Sequence, residues 1–134
     1  MVSSKEADAY EYDINFPSII SLSPNLYVSI LDMGCGDGCF TQIIAKRYGK
    51  VIGVDGSPRM IQLAKNNFPN IKFLITDLED KFPTFNTTFD LVIMKLVLMF
   101  VENLENVAQE VSKITRTGGC IIISVPHPTY WTAY

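Results

Sequence analysis

Three aspartates and three glycines have the types and spacing to do chemistry. Asp32 stands two residues ahead of Gly34, and the pattern Gly34-x-Gly36-x-Gly38 follows with Cys35 and Asp37 inside it. Glycines so spaced let a backbone turn sharply and let a ligand approach where a β-carbon would collide. Such a turn alone is a weak signal, because dinucleotide-binding oxidoreductases use a similar one. The acids discriminate: a carboxylate at a strand tip, with a second in the loop, repels a pyrophosphate and favours a ligand carrying an ammonium and a sulfonium. The spacing agrees, since the dinucleotide pattern wants its third small residue where Cys39 stands. Asp55, followed by Gly56 and lying about 20 residues beyond the loop, can accept hydrogen bonds from ribose hydroxyls. Thr76, Asp77 and Leu78 can offer a carboxylate to an exocyclic amine and a backbone N–H to an adenine ring nitrogen. Singly, each acid reads as an ordinary turn or helix-flanking residue. Their joint placement at three successive strand ends carries the inference.

That placement depends on the elements between them. Short β-branched apolar runs alternate with stretches of helical period, the pattern of a parallel sheet covered by helices on both faces. Strands are expected at Val28–Asp32, Val51–Val54, Ile71–Ile75, Asp90–Met94 and Cys120–Val125. Phe40, Ile43, Ile44 and Tyr48 predict a helix that Gly49 stops. Ser57 before Pro58 reads as an N-cap with proline at the first helical position, followed by the stripe Met60, Ile61, Ala64 and Phe68. Leu104, Val107, Ala108, Val111 and Ile114 predict one apolar helix face, with Gly118 and Gly119 as the stop. Asp77–Thr88 is a polar, proline-bearing loop.

The chain has 134 residues, 48% hydrophobic and 19% charged, which fits one domain spanning residues 1–134. Its 11 Lys and Arg against 14 Asp and Glu give a net charge of −3, with no basic footprint for a nucleic-acid partner. Met1–Asp13 is polar and acidic, unlike a secretory signal, and Leu91–Val101 is far shorter than the roughly 20 residues of a membrane span. A soluble, cytoplasmic protein with no membrane partner is expected. Cys35, Cys39 and Cys120 lack the spacing of a zinc site, so no metal is expected.

With these residues in place, the chain resembles the Rossmann-like, class I S-adenosylmethionine-dependent methyltransferases, in particular the type 11 small-molecule group. The similarity runs from about Pro17 to Pro128. Ile30–Gly38 resembles the family's first motif and Val51–Asn67 its second; Phe73–Asp80, Phe89–Val107 and Ile114–Pro128 match the third, fourth and strand-five regions. The resemblance implies an α/β, three-layer αβα sandwich with a mainly parallel sheet ordered 3-2-1-4-5, lacking the usual strands 6 and 7. It also implies S-adenosylmethionine as cofactor and S-adenosylhomocysteine as product. Asp32, Gly34 and Gly36 would then meet the methionine part, Gly38 would shape the turn, Asp55 would bind ribose, and Met60 would pack beside the adenine. Asp77 and Leu78 would read the adenine edge, Met94 and Lys95 would lie near the methyl group, and Tyr10 and Tyr12 would form a lid.

His127, just beyond the fifth strand, is the candidate general base or acceptor-positioning group, and equally reads as an exposed histidine between Pro126 and Pro128. Tyr130, Trp131 and Tyr134 are candidates for a substrate pocket. The leading expectation is an enzyme that methylates a small molecule, alone or completed by a partner chain. The alternative is a non-catalytic binding module that dimerises through an exposed strand-five edge.

Overall fold

The computed structural model describes residues 15–22 and 29–127. Five parallel strands form one sheet in the order β3-β2-β1-β4-β5, as expected. They are β1 (Ile30–Met33), β2 (Val51–Asp55), β3 (Lys72–Ile75), β4 (Phe89–Lys95) and β5 (Thr115–Ser124). The central strands β1 and β4 are apolar on both faces apart from Asp32, Asp90 and Lys95, the signature of a strand sandwiched between helices.

On one face, α1 (Phe16–Leu22) and α2 (Cys39–Tyr48) pack Phe16, Ile19, Phe40 and Ile44 against Ile30, Leu91, Ile93 and Ile122. On the other, α4 (Leu104–Ile114) and the loop residue Phe82 cover Leu31, Met33, Val92 and Met94. A third cluster joins Cys35, Ile61, Ala64 and Phe73, seating α3 (Pro58–Asn67) on β2 and β3. Burial of each such large apolar side chain contributes roughly 2 kcal/mol.

Local signals set most helix ends. Ser57 Oγ accepts from the Met60 N–H, with Pro58 opening α3, and Gly49 closes α2 in a left-handed conformation. The carboxylate of Glu79 accepts from the backbone N–H groups of Glu102 and Asn103, clasping the loop after β3 to the start of α4.

Five expectations are corrected. The segment Phe16–Leu22 is helical, beyond the helices that the sequence pattern predicts. In α3, Ile61 and Ala64 are buried while Met60 is exposed. In α4, Leu104 and Ala108 face out, and the buried side is Val107, Glu110 and Val111. Glu110 belongs there because its carboxylate accepts the Phe82 N–H and the Lys113 ammonium, which hold it below its usual carboxyl range. Gly118 and Gly119 do not stop α4. The helix ends at Ile114, β5 begins at once, and the glycines occupy a register shift opposite Phe89 and Leu91, with Gly118 left-handed. Val125 lies beyond the strand.

Candidate cofactor site at the strand ends

The bend after β1 is built from left-handed glycines with different neighbours. A β-carbon on Gly34 would lie 2.0 Å from Val97 Cγ2, and one on Gly38 would lie 2.8 Å from the Phe73 ring. One on Gly36 would meet nothing within 4 Å, although its φ of 55° is equally left-handed. Gly34 and Gly38 are therefore notches that the protein fills, and Gly36 is a notch left open. The Gly34 and Cys35 N–H groups both donate to the Val54 carbonyl, at 2.7 and 2.9 Å, tying the bend to β2.

Asp55 closes the arrangement. Its Oδ2 accepts from the Gly36 N–H at 3.0 Å and its Oδ1 from the Ser57 N–H at 2.8 Å, joining the bend to the start of α3. Each oxygen keeps a second lone pair for a ligand hydroxyl. The Asp55 carbonyl accepts from the Thr76 N–H, which fixes the end of β3 to the same point.

Asp32 lies beneath the bend, fully buried. Its Oδ2 accepts from the Thr41 hydroxyl at 2.7 Å, while Oδ1 has no partner among the described residues. Burial pushes its carboxyl up to about 6, against the Thr41 hydrogen bond and the Lys95 charge, while Asp55 pushes the same way as burial. A buried oxygen left unpaired costs about 1 to 3 kcal/mol, and a cationic donor would remove that cost. Two more buried polar atoms lack partners among the described residues, Thr76 Oγ1 just past β3 and Ser124 Oγ at the end of β5. All three sit at the C-terminal ends of strands, where open α/β sheets take ligands.

The other expected residues divide. Gly56 is exposed beside Asp55, and Met60 lies on the surface of the first turn of α3. Asp77 is exposed and accepts the Glu79 N–H at 2.9 Å, so its carboxylate shapes its own turn. Leu78 and Met94 join the core on the α4 face, opposite Asp32. The Cys35 side chain packs into the α3 cluster, where burial pushes its thiol up, leaving its backbone for the bend. His127 is exposed beyond β5. Tyr10, Tyr12, Tyr130, Trp131 and Tyr134 fall outside the described residues.

Several residues the sequence did not flag complete the site. Thr41 holds Asp32, and Phe16 and Phe40 receive the Lys95 ammonium over their rings. Leu96 is the one described non-glycine with a left-handed φ, 53°. Phe16 and Phe40 carried a signal, since Phe16, Ile19 and Ile20 recur at helical spacing as Phe40, Ile43 and Ile44 do. A cavity of about 770 Å³ opens at the opposite end of the sheet, lined by Lys46, Lys50, Lys72, Asn67 and Asn86 among others.

Comparison with known proteins identifies the family and the fold. Residues 27–132 match a family model described as a methyltransferase domain. The chain is 32% identical over 108 residues to a demethylmenaquinone methyltransferase of Tropheryma whipplei (strain Twist), covering 78% of this chain and 44% of that one. It thus spans less than half the length of that relative. Among solved structures, the S-adenosylmethionine dependent methyltransferase from Mesorhizobium loti superposes with a TM-score of 0.76 at 28% identity, over 85% of this chain and 54% of the other. The N-methyltransferase NodS from Bradyrhizobium japonicum WM9 shares the fold with a TM-score of 0.79 at 21% identity, over 95% of this chain and 74% of the other.

Proposed function

This chain belongs to the class I S-adenosylmethionine-dependent methyltransferase family, and on that premise we propose that it holds the cofactor in the bend between β1 and α2 for methyl transfer to a small-molecule acceptor. The observation that carries this reading is the set of unpaired buried polar atoms at the strand ends, Asp32 Oδ1 above all, beside the open notch at Gly36. When bound, S-adenosylmethionine supplies a methyl group already activated by positively charged sulfur. Asp32 meets the ammonium of its methionine part, with Thr41 fixing the carboxylate's orientation. Asp55 takes the ribose hydroxyls while its bonds to Gly36 and Ser57 hold it in place. Thr76, Asp77, Leu78 and Met60 flank the adenine, and Gly36 provides room for the backbone's close approach. Transfer from such a donor needs alignment and exclusion of water more than acid–base work. His127 is the candidate base where an acceptor must lose a proton. Full activity, acceptor choice and any completing partner are assigned here to a protein as long as the relatives, of which this chain corresponds to less than half.

Isothermal titration with S-adenosylhomocysteine tests the cofactor assignment, with micromolar dissociation expected. No binding below millimolar concentrations, or preferential binding of NAD, would overturn it.

A second reading is favoured by β5, where Ile121 and Ile123 are 42% and 49% exposed at the sheet edge. An apolar edge of this kind pairs readily, so the domain also serves as a dimerisation or docking module, with or without catalysis. Sedimentation at several concentrations tests it: a chain that stays monomeric throughout removes the pairing argument.

A further inference from the structure

The loop after β3 is strapped along one face of α4 for about two turns of the helix. At the start of the helix the Glu79 carboxylate accepts from the N–H groups of Glu102 at 2.6 Å and Asn103 at 3.2 Å. A turn further on, the Asn106 side-chain amide donates to the Glu79 and Asp80 carbonyls, at 3.4 and 3.5 Å. Beyond that the Glu110 carboxylate accepts from the Phe82 N–H at 3.2 Å. Leu78 and Phe82 pack in the same apolar cluster as Val107 and Val111, so the strap is seated as well as hydrogen-bonded. Asn106 and Glu110 are polar on a helix face turned toward protein because the main chain of the loop needs partners there.

The strap is anchored at the strand ends. The Thr76 N–H donates to the Asp55 carbonyl at 2.9 Å. Asp77 Oδ1 then accepts from the Glu79 N–H at 2.9 Å and the Asp77 carbonyl from the Asp80 N–H at 3.2 Å, which closes residues 77–80 into one turn. On its other side Glu79 holds the end of the segment that joins β4 to α4. That segment starts with Leu96, left-handed and bonded to the Ser124 carbonyl at 3.0 Å, and with Val97 in the notch at Gly34. It passes through a short 3-10 helix at Leu98–Phe100 and reaches Glu102 and Asn103, where only the strap takes over. A carboxylate bonded to N–H groups at a helix N-terminus is held by charge-assisted bonds and by the positive end of the helix dipole.

The turn at residues 77–80 and the start of α4 are therefore one mechanical unit, and whatever steadies Asp77 also steadies Glu102 and Asn103. We propose that Glu79 is a positioning residue that transmits occupancy at the end of β3 to the segment between β4 and α4, so that binding the donor orders the stretch of chain an acceptor would face. This rests on the reading that the strand ends hold S-adenosylmethionine, with Asp77 and Leu78 beside the adenine. The coupling is reciprocal, so the segment, once ordered, strengthens donor binding by the same factor.

Amide hydrogen exchange on the whole chain, with and without saturating S-adenosylhomocysteine, tests the proposal, and calorimetry supplies the affinities. In the wild type the ligand is expected to slow exchange at Glu102 and Asn103 by about fivefold or more, the lower end of ordinary coupling between sites. Glu79→Ala should abolish that slowing and weaken S-adenosylhomocysteine by the same factor, while Glu79→Gln, which keeps one acceptor oxygen, should retain part of both. Glu79 is exposed, so its replacement leaves the core intact. If Glu79 only held α4 in place, the variant would exchange faster with and without ligand alike, and the slowing caused by the ligand would persist. A wild type that binds S-adenosylhomocysteine with no change at Glu102 and Asn103, or a Glu79→Ala variant that keeps the full slowing, would overturn the proposal while leaving the cofactor reading intact. A wild type that does not bind the ligand overturns both.

Discussion

The two ends of the sheet are made from different residues. At the C-terminal ends the chain places Asp32 within β1, Asp55 closing β2 and Asp77 just past β3; at the N-terminal ends it places Lys50 before β2 and Lys72 opening β3. A cavity of about 770 Å³ lies at the lysine end. What separates the two ends is the state of their polar groups. The unpaired buried atoms lie at the aspartate end, and none among the described residues lies at the lysine end. Helices α2 and α3 also finish at the lysine end, and their last carbonyls carry partial negative charge that nearby ammonium groups such as Lys46 neutralise. Space alone therefore does not mark a site. Unmet hydrogen-bonding capacity does, because a fold tolerates its cost only where a ligand relieves it.

The contrast can be broken or sharpened by experiment. The largest effect is expected for Gly34→Ala, which drives a β-carbon into Val97 at a left-handed φ of 79° and should destabilise the fold by roughly 4 kcal/mol in urea unfolding. A loss under about 1 kcal/mol would mean that the bend is not keyed to β4 as described.

Next comes the proton on Asp32. Its carboxyl is raised to about 6 in the folded chain, above an unfolded value near 3.9, so the folded state holds the proton more tightly between those values. Stability conferred by that proton should fall as pH rises from about 4 to about 6, by roughly 3 kcal/mol in all, and stay level above. The difference between wild type and Asp32→Asn in urea midpoints across that range isolates the effect. Binding of a cationic ligand favours the ionised form, so affinity for S-adenosylhomocysteine should strengthen as pH climbs through 6, which calorimetry at pH 5 and 7 measures. A flat affinity profile would separate Asp32 from the ligand.

A smaller and more selective contrast pairs Gly36 with Gly49. Both are left-handed with open space around the missing β-carbon, one at each end of α2. Alanine should cost each about 1 kcal/mol of stability, but only Gly36→Ala should weaken S-adenosylhomocysteine, by about tenfold or more. Equal effects on binding would erase the distinction between the two ends. Smallest of all, Lys46→Glu combined with Lys72→Glu should change that affinity by less than about twofold, given screening over a distance beyond the Debye length of about 8 Å.

Much of this was legible in the chain itself, for a physical reason. Ser57 and Pro58 announce α3 because capping is local chemistry, and Asp32, Gly34, Gly36 and Asp55 announce the bend because their roles depend on position relative to strand ends. The failures share the opposite cause. Gly118 and Gly119 look the same in sequence whether they end a helix or occupy a bulge, and only pairing with β4 decides. Leu104 and Ala108 fit an apolar stripe as well as Val107 does, until the Phe82 N–H requires an acceptor and turns Glu110 inward. Lys95 reads as a charge near the site, but its direction is set by Phe16, from a helix too short for its period to stand out in the sequence.

The contact between Gly34 and Val97 joins two segments that such a fold must otherwise vary separately. Under the proposed function, one would cradle the donor and the other would begin the wall that an acceptor faces. Because Val97 occupies the hollow where a side chain on Gly34 would go, a bulkier residue at 97 would press directly on the donor's cradle. Changes to the segment after β4 are therefore better tolerated beyond Val97 than at Val97 itself.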